Sequence, residues 1–210
     1  MKVYDRIVSA VDELQQGRPA CCQAYFLDDP GGSGKTCMLC NTLIARLRAH
    51  GIQVGATAWT GIAANLLPGG RTVHSLFKLP VPILDTSTCN VKQTSSYAAM
   101  LRSMSLIIID KASMMPLHAL HAIDKLLRDL INEDIPFGGK IFLLGGDFRQ
   151  VLPVMLHASR TLIVENCLKR LSLWPLFTII KLTQNMRVQQ DQQQFSKWEL
   201  QLGNEQLHTV

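Results

Sequence analysis

Short apolar runs alternate along the chain with longer stretches in which hydrophobic residues recur every three or four positions. The runs predict strands at 24–27, 52–58, 105–109, 140–144 and 177–182. The run at 105–109 is almost purely apolar and β-branched, as expected of a strand buried on both faces of a sheet. This alternation favours an α/β fold in which helices cover a parallel sheet.

Helical spacing and breaker residues predict where the helices lie. One helix is predicted from about Lys35 to His50, where Gly51 is placed to end it. A short helical stretch follows 60–61, and 115–131 is amphipathic. The segment 80–96 is polar and holds two prolines, which predicts a long loop or a small insertion. We therefore expect one domain over 1–188, followed by a glutamine-rich tail over 189–210.

Composition limits the class of protein. The chain has 210 residues, of which 47% are hydrophobic and 18% are charged, so we expect one globular domain rather than a disordered chain. It has no apolar run near the ~20 residues that span a bilayer, and 1–6 is not the start of a secretory signal. We expect a soluble intracellular protein with reduced cysteines. Cys37 and Cys40 form a lone pair within a predicted helix, which favours buried thiols over a zinc or redox site.

The balance of charge is basic. Lys and Arg number 21 against 16 Asp and Glu, a formal charge of +5. This excess suits a polyanionic partner such as nucleic acid but does not require one.

A glycine-rich segment lies between the first predicted strand and the first predicted helix. In this position its backbone N–H groups can surround phosphates, Lys35 can reach the β- and γ-phosphates, and the Thr36 hydroxyl can bind Mg²⁺. The alternative is a turn that only caps a helix. Asp29 stands where the motif asks for glycine, and its charge should repel phosphate unless the side chain points away. The predicted nucleotide-binding residues are Pro30, Gly31, Gly32, Ser33, Gly34, Lys35 and Thr36.

A carboxylate follows the third predicted strand. Asp110 ends an apolar run, the setting in which a phosphate-loop enzyme places its metal-side acid. The alternative is an acidic residue that caps the next turn. We predict that Asp110 and Thr36 hold Mg²⁺.

Five blocks of sequence, in this order and spacing, resemble the Pif-type superfamily 1 DNA helicases. They are FLDDPGGSGKT, TGIAANLLPGGRTVHSLFKLP, LIIIDKASMM, FGGKIFLLGGDFRQVLPV and LTQNMR. The resemblance covers about 5–203, and within the family it is greatest to the branch associated with Helitron transposons. A small-molecule kinase is disfavoured because it has no use for the last two blocks.

The resemblance implies a RecA-like motor domain that binds ATP and Mg²⁺, holds single-stranded DNA and belongs to a nuclear enzyme translocating from 5′ to 3′. Family members act in DNA repair, recombination and telomere maintenance. A glutamine-bearing adenine motif and a second RecA-like domain are expected outside these 210 residues, so helicase or transposase parts are the expected partners. We do not expect this chain to unwind DNA alone.

The same resemblance assigns roles to single residues. Lys35 and Asp110 match the catalytic phosphate and metal positions, Gln150 the γ-phosphate sensor, and Arg187 the arginine that reaches the γ-phosphate. The blocks that face DNA contain Thr60, Gly61 and His74. The alternatives remain a loop amide for Gln150, a surface ion pair for Arg187 and a structural histidine for His74.

One position departs from the family in a way that matters for chemistry. The family has Asp-Glu after this strand, and the glutamate accepts the proton of the attacking water, whereas this chain has Asp110-Lys111. A protonated lysine cannot act as a base, and loss of a general base typically costs ~10²- to 10⁴-fold in rate. Two functions therefore stay open: a helicase motor with impaired hydrolysis, or a module that binds nucleotide and single-stranded DNA without hydrolysing ATP.

Overall fold

The computed structural model describes residues 2–17, 23–30, 32–150, 153–155 and 158–182, together with Trp198 and Gln201. Six parallel strands form one sheet in the order β3-β2-β4-β5-β1-β6. Since the strands are parallel, their carboxyl ends share one edge, where ligands bind in open α/β sheets. The strands are β1 (Ala24–Asp28), β2 (Gln53–Ala58), β3 (Arg71–Thr72), β4 (Met104–Asp110), β5 (Ile141–Gly146) and β6 (Phe177–Lys181).

Helices cover both faces of the sheet, which confirms the predicted fold class. They are α1 (Lys2–Gln15), α2 (Asn41–Ala49), α3 (Gly61–Ala64), α4 (Val73–Phe77), α5 (Ser96–Ser103), α6 (Leu117–Ile131) and α7 (Arg160–Glu165). A π-helix at Lys35–Cys40 precedes α2, and 3₁₀ turns lie at Ala112–Met114, Pro136–Gly139, Leu168–Arg170 and Trp174–Leu176.

The central strand β4 joins two hydrophobic cores. Ile107 and Ile109 pack in the core that α4, α5 and α6 cover. Leu106 and Ile108 point the other way, into the core that α1 and α2 cover. Each fully buried side chain of this size contributes about 1.5–3 kcal/mol, so the alternation along one strand ties the two helical layers to the sheet.

Several predicted boundaries need correction. The single helix predicted from Lys35 begins as a π-helix and continues as α2, which ends at Ala49 before Gly51, where φ is 74°. Helix α1 was not predicted, although Ile7, Ala10 and Val11 form its buried face at helical spacing. Nor was α5 predicted.

The predicted loop at 80–96 overlaps a segment that has no helix or strand in the structure. Positions 78–95, all of which are described, contain no helix or strand, and α5 begins at Ser96. The hydroxyl of Ser95 caps α5 by accepting a hydrogen bond from the Ala98 N–H at 3.1 Å. The division into 1–188 and 189–210 stays a prediction, because the tail lies almost wholly outside the described residues.

Two further expectations concern membranes and thiols. Among the described helices, none is long and apolar enough to cross a bilayer. Cys40 is a buried free thiol, as predicted, and burial raises its pKa to about 12. The side chain of Cys37 lies outside the described residues.

Candidate nucleotide site

The glycine-rich segment turns sharply between β1 and the π-helix. Gly32 has a φ of 89° and Gly34 a φ of 78°, in the left-handed region that favours glycine. The Ser33 N–H donates to the Pro30 carbonyl at 3.3 Å, which closes the turn. The Ser33 hydroxyl is buried without a partner among the described residues. These features make a tight backbone cradle with an unused polar group inside it.

Lys35 lies between two carboxylates. Its ammonium Nζ is 2.6 Å from Asp29 Oδ2 and 2.9 Å from Asp110 Oδ1, and the side chain is only 5% exposed. Burial lowers the pKa of Lys35, but Asp110 and Asp29 outweigh burial and raise it above its ordinary value. The lysine therefore remains a cation at neutral pH.

Asp29 points into the site, not away from it. Its Oδ2 accepts from Lys35, while its buried Oδ1 has no hydrogen-bond partner among the described residues. Burial raises the pKa of Asp29, and Lys35 reverses this only in part because it is shared with Asp110. Asp29, which stands where the motif has glycine, thus forms an ion pair with the Lys35 ammonium that a phosphate would otherwise contact.

Thr36 and Asp110 come together at the carboxyl ends of the strands. The Thr36 hydroxyl donates to Asp110 Oδ2 at 2.9 Å, and Asp110 is 2% exposed. A hydroxyl and a carboxylate are hard oxygen ligands of the kind that Mg²⁺ takes in phosphate sites. The donor set fits the predicted ion.

Lys111 and Gln150 are also neighbours, although 39 positions separate them. The Lys111 ammonium donates to Gln150 Oε1 at 3.1 Å, and the Gln150 amide donates to Asp147 Oδ2 at 3.3 Å. The Lys111 N–H donates to Asp110 Oδ1 at 2.7 Å. Gln150, the predicted γ-phosphate sensor, thus contacts Lys111, which stands where the family has its catalytic glutamate.

The two glycines at the end of β5 lie so close to neighbouring residues that a side chain would not fit. A Cβ at Gly145 would lie 2.6 Å from Lys35 Cδ, and one at Gly146 would lie 2.8 Å from the backbone nitrogen of Ser113. In the structure Gly145 is what leaves room for Lys35.

Arg149 is a further site residue to which the sequence patterns assigned no role. Its guanidinium donates to Asp147 Oδ1 at 2.6 Å and to Asp28 Oδ1 at 2.8 Å. These contacts tie the end of β1 to the turn after β5 and so position Gln150. The signal was its place in the same short block as Asp147 and Gln150.

The predicted DNA-facing residues lie at the β2–β3 end of the sheet. The Thr60 hydroxyl caps α3 by accepting from the Ala63 N–H at 3.3 Å, and Gly61 is exposed. The half-buried His74 ring packs on Trp59 with ring centroids 4.6 Å apart, and burial lowers its pKa. The backbone N–H of Trp59 donates to the Asp110 carbonyl at 2.9 Å, which connects this end of the sheet to the phosphate site.

A cavity of about 340 Å³ opens beside the phosphate loop. Val3 and Tyr4 of α1, Leu39 and Leu182 line it next to Gly34. Two predicted site residues, Gly31 and Arg187, lie outside the described residues.

Comparison with known proteins agrees with this geometry. The chain is 33% identical over 148 residues to the ATP-dependent DNA helicase Pif1 of Psychrobacter sp. (strain PRwf-1), covering 70% of this chain and 21% of that protein. It is 31% identical over 184 residues to ATP-dependent DNA helicase Pif1 of Bdellovibrio bacteriovorus, covering 86% and 39%. The chain therefore spans well under half of these curated relatives.

Solved structures show the same fold. The Bacteroides Pif1 helicase in complex with ADP-AlF3 and ssDNA superposes with a TM-score of 0.75 at 28% identity, covering 94% of this chain and 46% of that one. The Candida albicans Pif1 helicase superposes with a TM-score of 0.69 at 25% identity, covering 92% and 43%. The family model described as PIF1-like helicase matches residues 1–210, and the chain belongs to the PIF1-like helicase family.

Proposed function

We propose that this domain binds Mg·ATP at the phosphate loop and single-stranded DNA near α3 and α4, as the first motor domain of an ATP-dependent 5′–3′ DNA helicase. The observation that carries the proposal is the cluster of Lys35, Thr36 and Asp110 at the carboxyl ends of β1 and β4, in which Lys35 and Asp110 are buried. Bacteroides Pif1 has been solved with ADP-AlF3 and ssDNA, which supports both ligands. The 5′–3′ direction, a nuclear role and the Helitron-associated branch rest on the family resemblance.

The phosphate-binding part of the site, around Lys35 and Thr36, would provide most of the nucleotide affinity. The Lys35 ammonium would leave Asp29 to meet the β- and γ-phosphates, while backbone N–H groups of the turn that holds Gly32 and Gly34 would bind the same anion. Thr36 and Asp110 would hold Mg²⁺, which when bound neutralises phosphate charge. The apolar cavity lined by Val3, Tyr4, Leu39 and Leu182 suits the base.

Hydrolysis is expected to be slow. Lys111 stands where a proton acceptor is needed, and the ammonium cannot take a proton from water. Gln150 can still orient water but is itself engaged by Lys111. A module that binds without hydrolysis is therefore the second candidate, and Lys111 is the residue that favours it.

The nucleotide proposal is tested by calorimetry on the folded 210-residue chain with ATP or ADP, with and without Mg²⁺. We expect saturable uptake of both nucleotides, and phosphate release far below the 1 to 10³ per second of ordinary enzymes. Absence of uptake would contradict the site, and an ordinary turnover would contradict the role given to Lys111. The double variant Lys111→Glu with Asp29→Gly should release phosphate faster than the wild type, because it restores both family residues.

The DNA proposal is tested by the fluorescence anisotropy of a labelled oligothymidylate. We expect binding that weakens steeply with added salt, because phosphate contacts release counterions. His74→Ala should weaken binding about fivefold, the loss of about 1 kcal/mol, while the matched control His121→Ala on the exposed face of α6 should not. Equal effects of the two histidine variants would argue against the α3–α4 face.

A further inference from the structure

Lys111 occupies an unusual and tightly held position. Its backbone is left-handed, with a φ of 57°, which is uncommon for a residue with a side chain. The N–H of Lys111 and the ammonium of Lys35 donate to the same oxygen, Asp110 Oδ1, at 2.7 and 2.9 Å. One carboxylate therefore fixes the turn that carries Lys111 beside the phosphate-loop lysine.

The charge of Lys111 is available to an anion. Lys35 is held by two carboxylates, whereas Lys111 Nζ contacts only the neutral amide oxygen of Gln150 among the described residues. The half-buried Lys111 also acts across the site, since its charge opposes the rise that burial causes in the pKa of Asp29. Its field thus reaches the phosphate loop, and no carboxylate among the described residues forms an ion pair with it.

We propose that Lys111 is a phosphate-binding residue that contacts the terminal phosphate of ATP and makes the site selective for ATP over ADP. This inference rests on the proposed function, because it requires nucleotide at the loop of Lys35. In the proposed complex the terminal phosphate, which is farthest from the base, would lie near Lys35 and Asp110 at the end of β4, next to Lys111. An ammonium that exchanges an amide oxygen for a phosphate oxygen gains a stronger, charge-assisted hydrogen bond.

The presence of lysine at 111, where the family has glutamate, then has a direct consequence for which nucleotide the domain holds. Since Lys111 cannot accept a proton, it adds binding free energy for ATP without adding a route to cleave it. The chain would hold ATP for long periods. The contact between Lys111 and the terminal phosphate would distinguish the ATP-bound domain from the ADP-bound domain. Release of Gln150 from Lys111 would accompany binding.

The test compares Lys111→Gln with the wild type and with Lys125→Gln, an exposed lysine on α6 that gives the same change in net charge. Dissociation constants are measured for ADP and for a β,γ-non-hydrolysable ATP analogue in Mg²⁺, together with the dissociation rate of a labelled analogue. We expect Lys111→Gln to weaken the analogue about tenfold, mainly through faster release, and ADP less than about twofold. Lys111→Arg should keep most of the preference.

Each contrary result has a distinct meaning. An equal loss for both nucleotides, or a loss shared with Lys125→Gln, would show that Lys111 does not contact the terminal phosphate. No change in either nucleotide would overturn the inference while leaving the proposed function in place. Failure of the wild type to take up any nucleotide would overturn the proposed function, and the inference with it.

Discussion

Asp29→Asn should increase nucleotide affinity. The Asp29 carboxylate holds Lys35 at 2.6 Å and is 12% exposed, so it competes with phosphate for a buried cation. Asparagine keeps the size of the side chain but removes the charge. Lys35 would remain paired with Asp110 at 2.9 Å, so the ammonium keeps a partner when nucleotide is absent.

The magnitude follows from Coulomb's law. A unit charge about 4 Å from another is worth about 4 kcal/mol at an effective dielectric constant near 20. Solvent, salt and the amide that replaces the carboxylate reduce this repulsion to about 1–2 kcal/mol, or about tenfold tighter binding. The free energy of unfolding should change by less than about 1 kcal/mol, since the lost ion pair is offset by relief of a buried carboxylate with an unpartnered oxygen.

The assay is titration calorimetry with Mg·ADP on the wild type, Asp29→Asn and Asp134→Asn. Asp134 is 97% exposed and paired with Arg128, so its variant has the same net charge but leaves the site intact. We expect the gain in Asp29→Asn alone. Unchanged or weaker binding, in a variant that unfolds at the wild-type temperature, would refute the competition between Asp29 and phosphate.

Three further predictions concern other parts of the site and the core. Gly145→Ala should reduce nucleotide affinity at least tenfold, because its Cβ would displace the side chain of Lys35. Gly146→Ala meets backbone instead and should lower the free energy of unfolding by about 2 kcal/mol in urea titrations. Thr36→Val should remove the Mg²⁺-dependent part of nucleotide affinity, and affinity that still responds to Mg²⁺ would contradict its role. Burial lowers the pKa of Lys140 to about 8, so the folded protein loses this proton before the unfolded chain does and stability should rise between pH 8 and about 10. Lys140→Met should abolish a rise of up to about 3 kcal/mol, and an identical pH profile would count against a buried ammonium.

The sequence by itself determined the class of fold and the components of the site. The apolar runs at 105–109 and 140–144 predicted buried strands, and the glycines before Lys35 predicted a tight turn at a helix start. Helix α1 follows the same periodicity, because Ile7 and Val11 of its buried face are four positions apart.

Only the tertiary structure decided how those components meet. The order β3-β2-β4-β5-β1-β6 brings Lys35, Asp110 and Gln150 to one edge from positions 40 to 115 residues apart, a juxtaposition that local patterns do not encode. It also decided that Asp29 turns toward Lys35, that Arg149 joins two acids across the sheet, and that Lys140 is buried with its ammonium on the carbonyls of Arg102 and Met104. The physical reason is that local spacing sets which face of an element is apolar. The direction of a polar side chain instead depends on the partners that a distant strand places within hydrogen-bond reach.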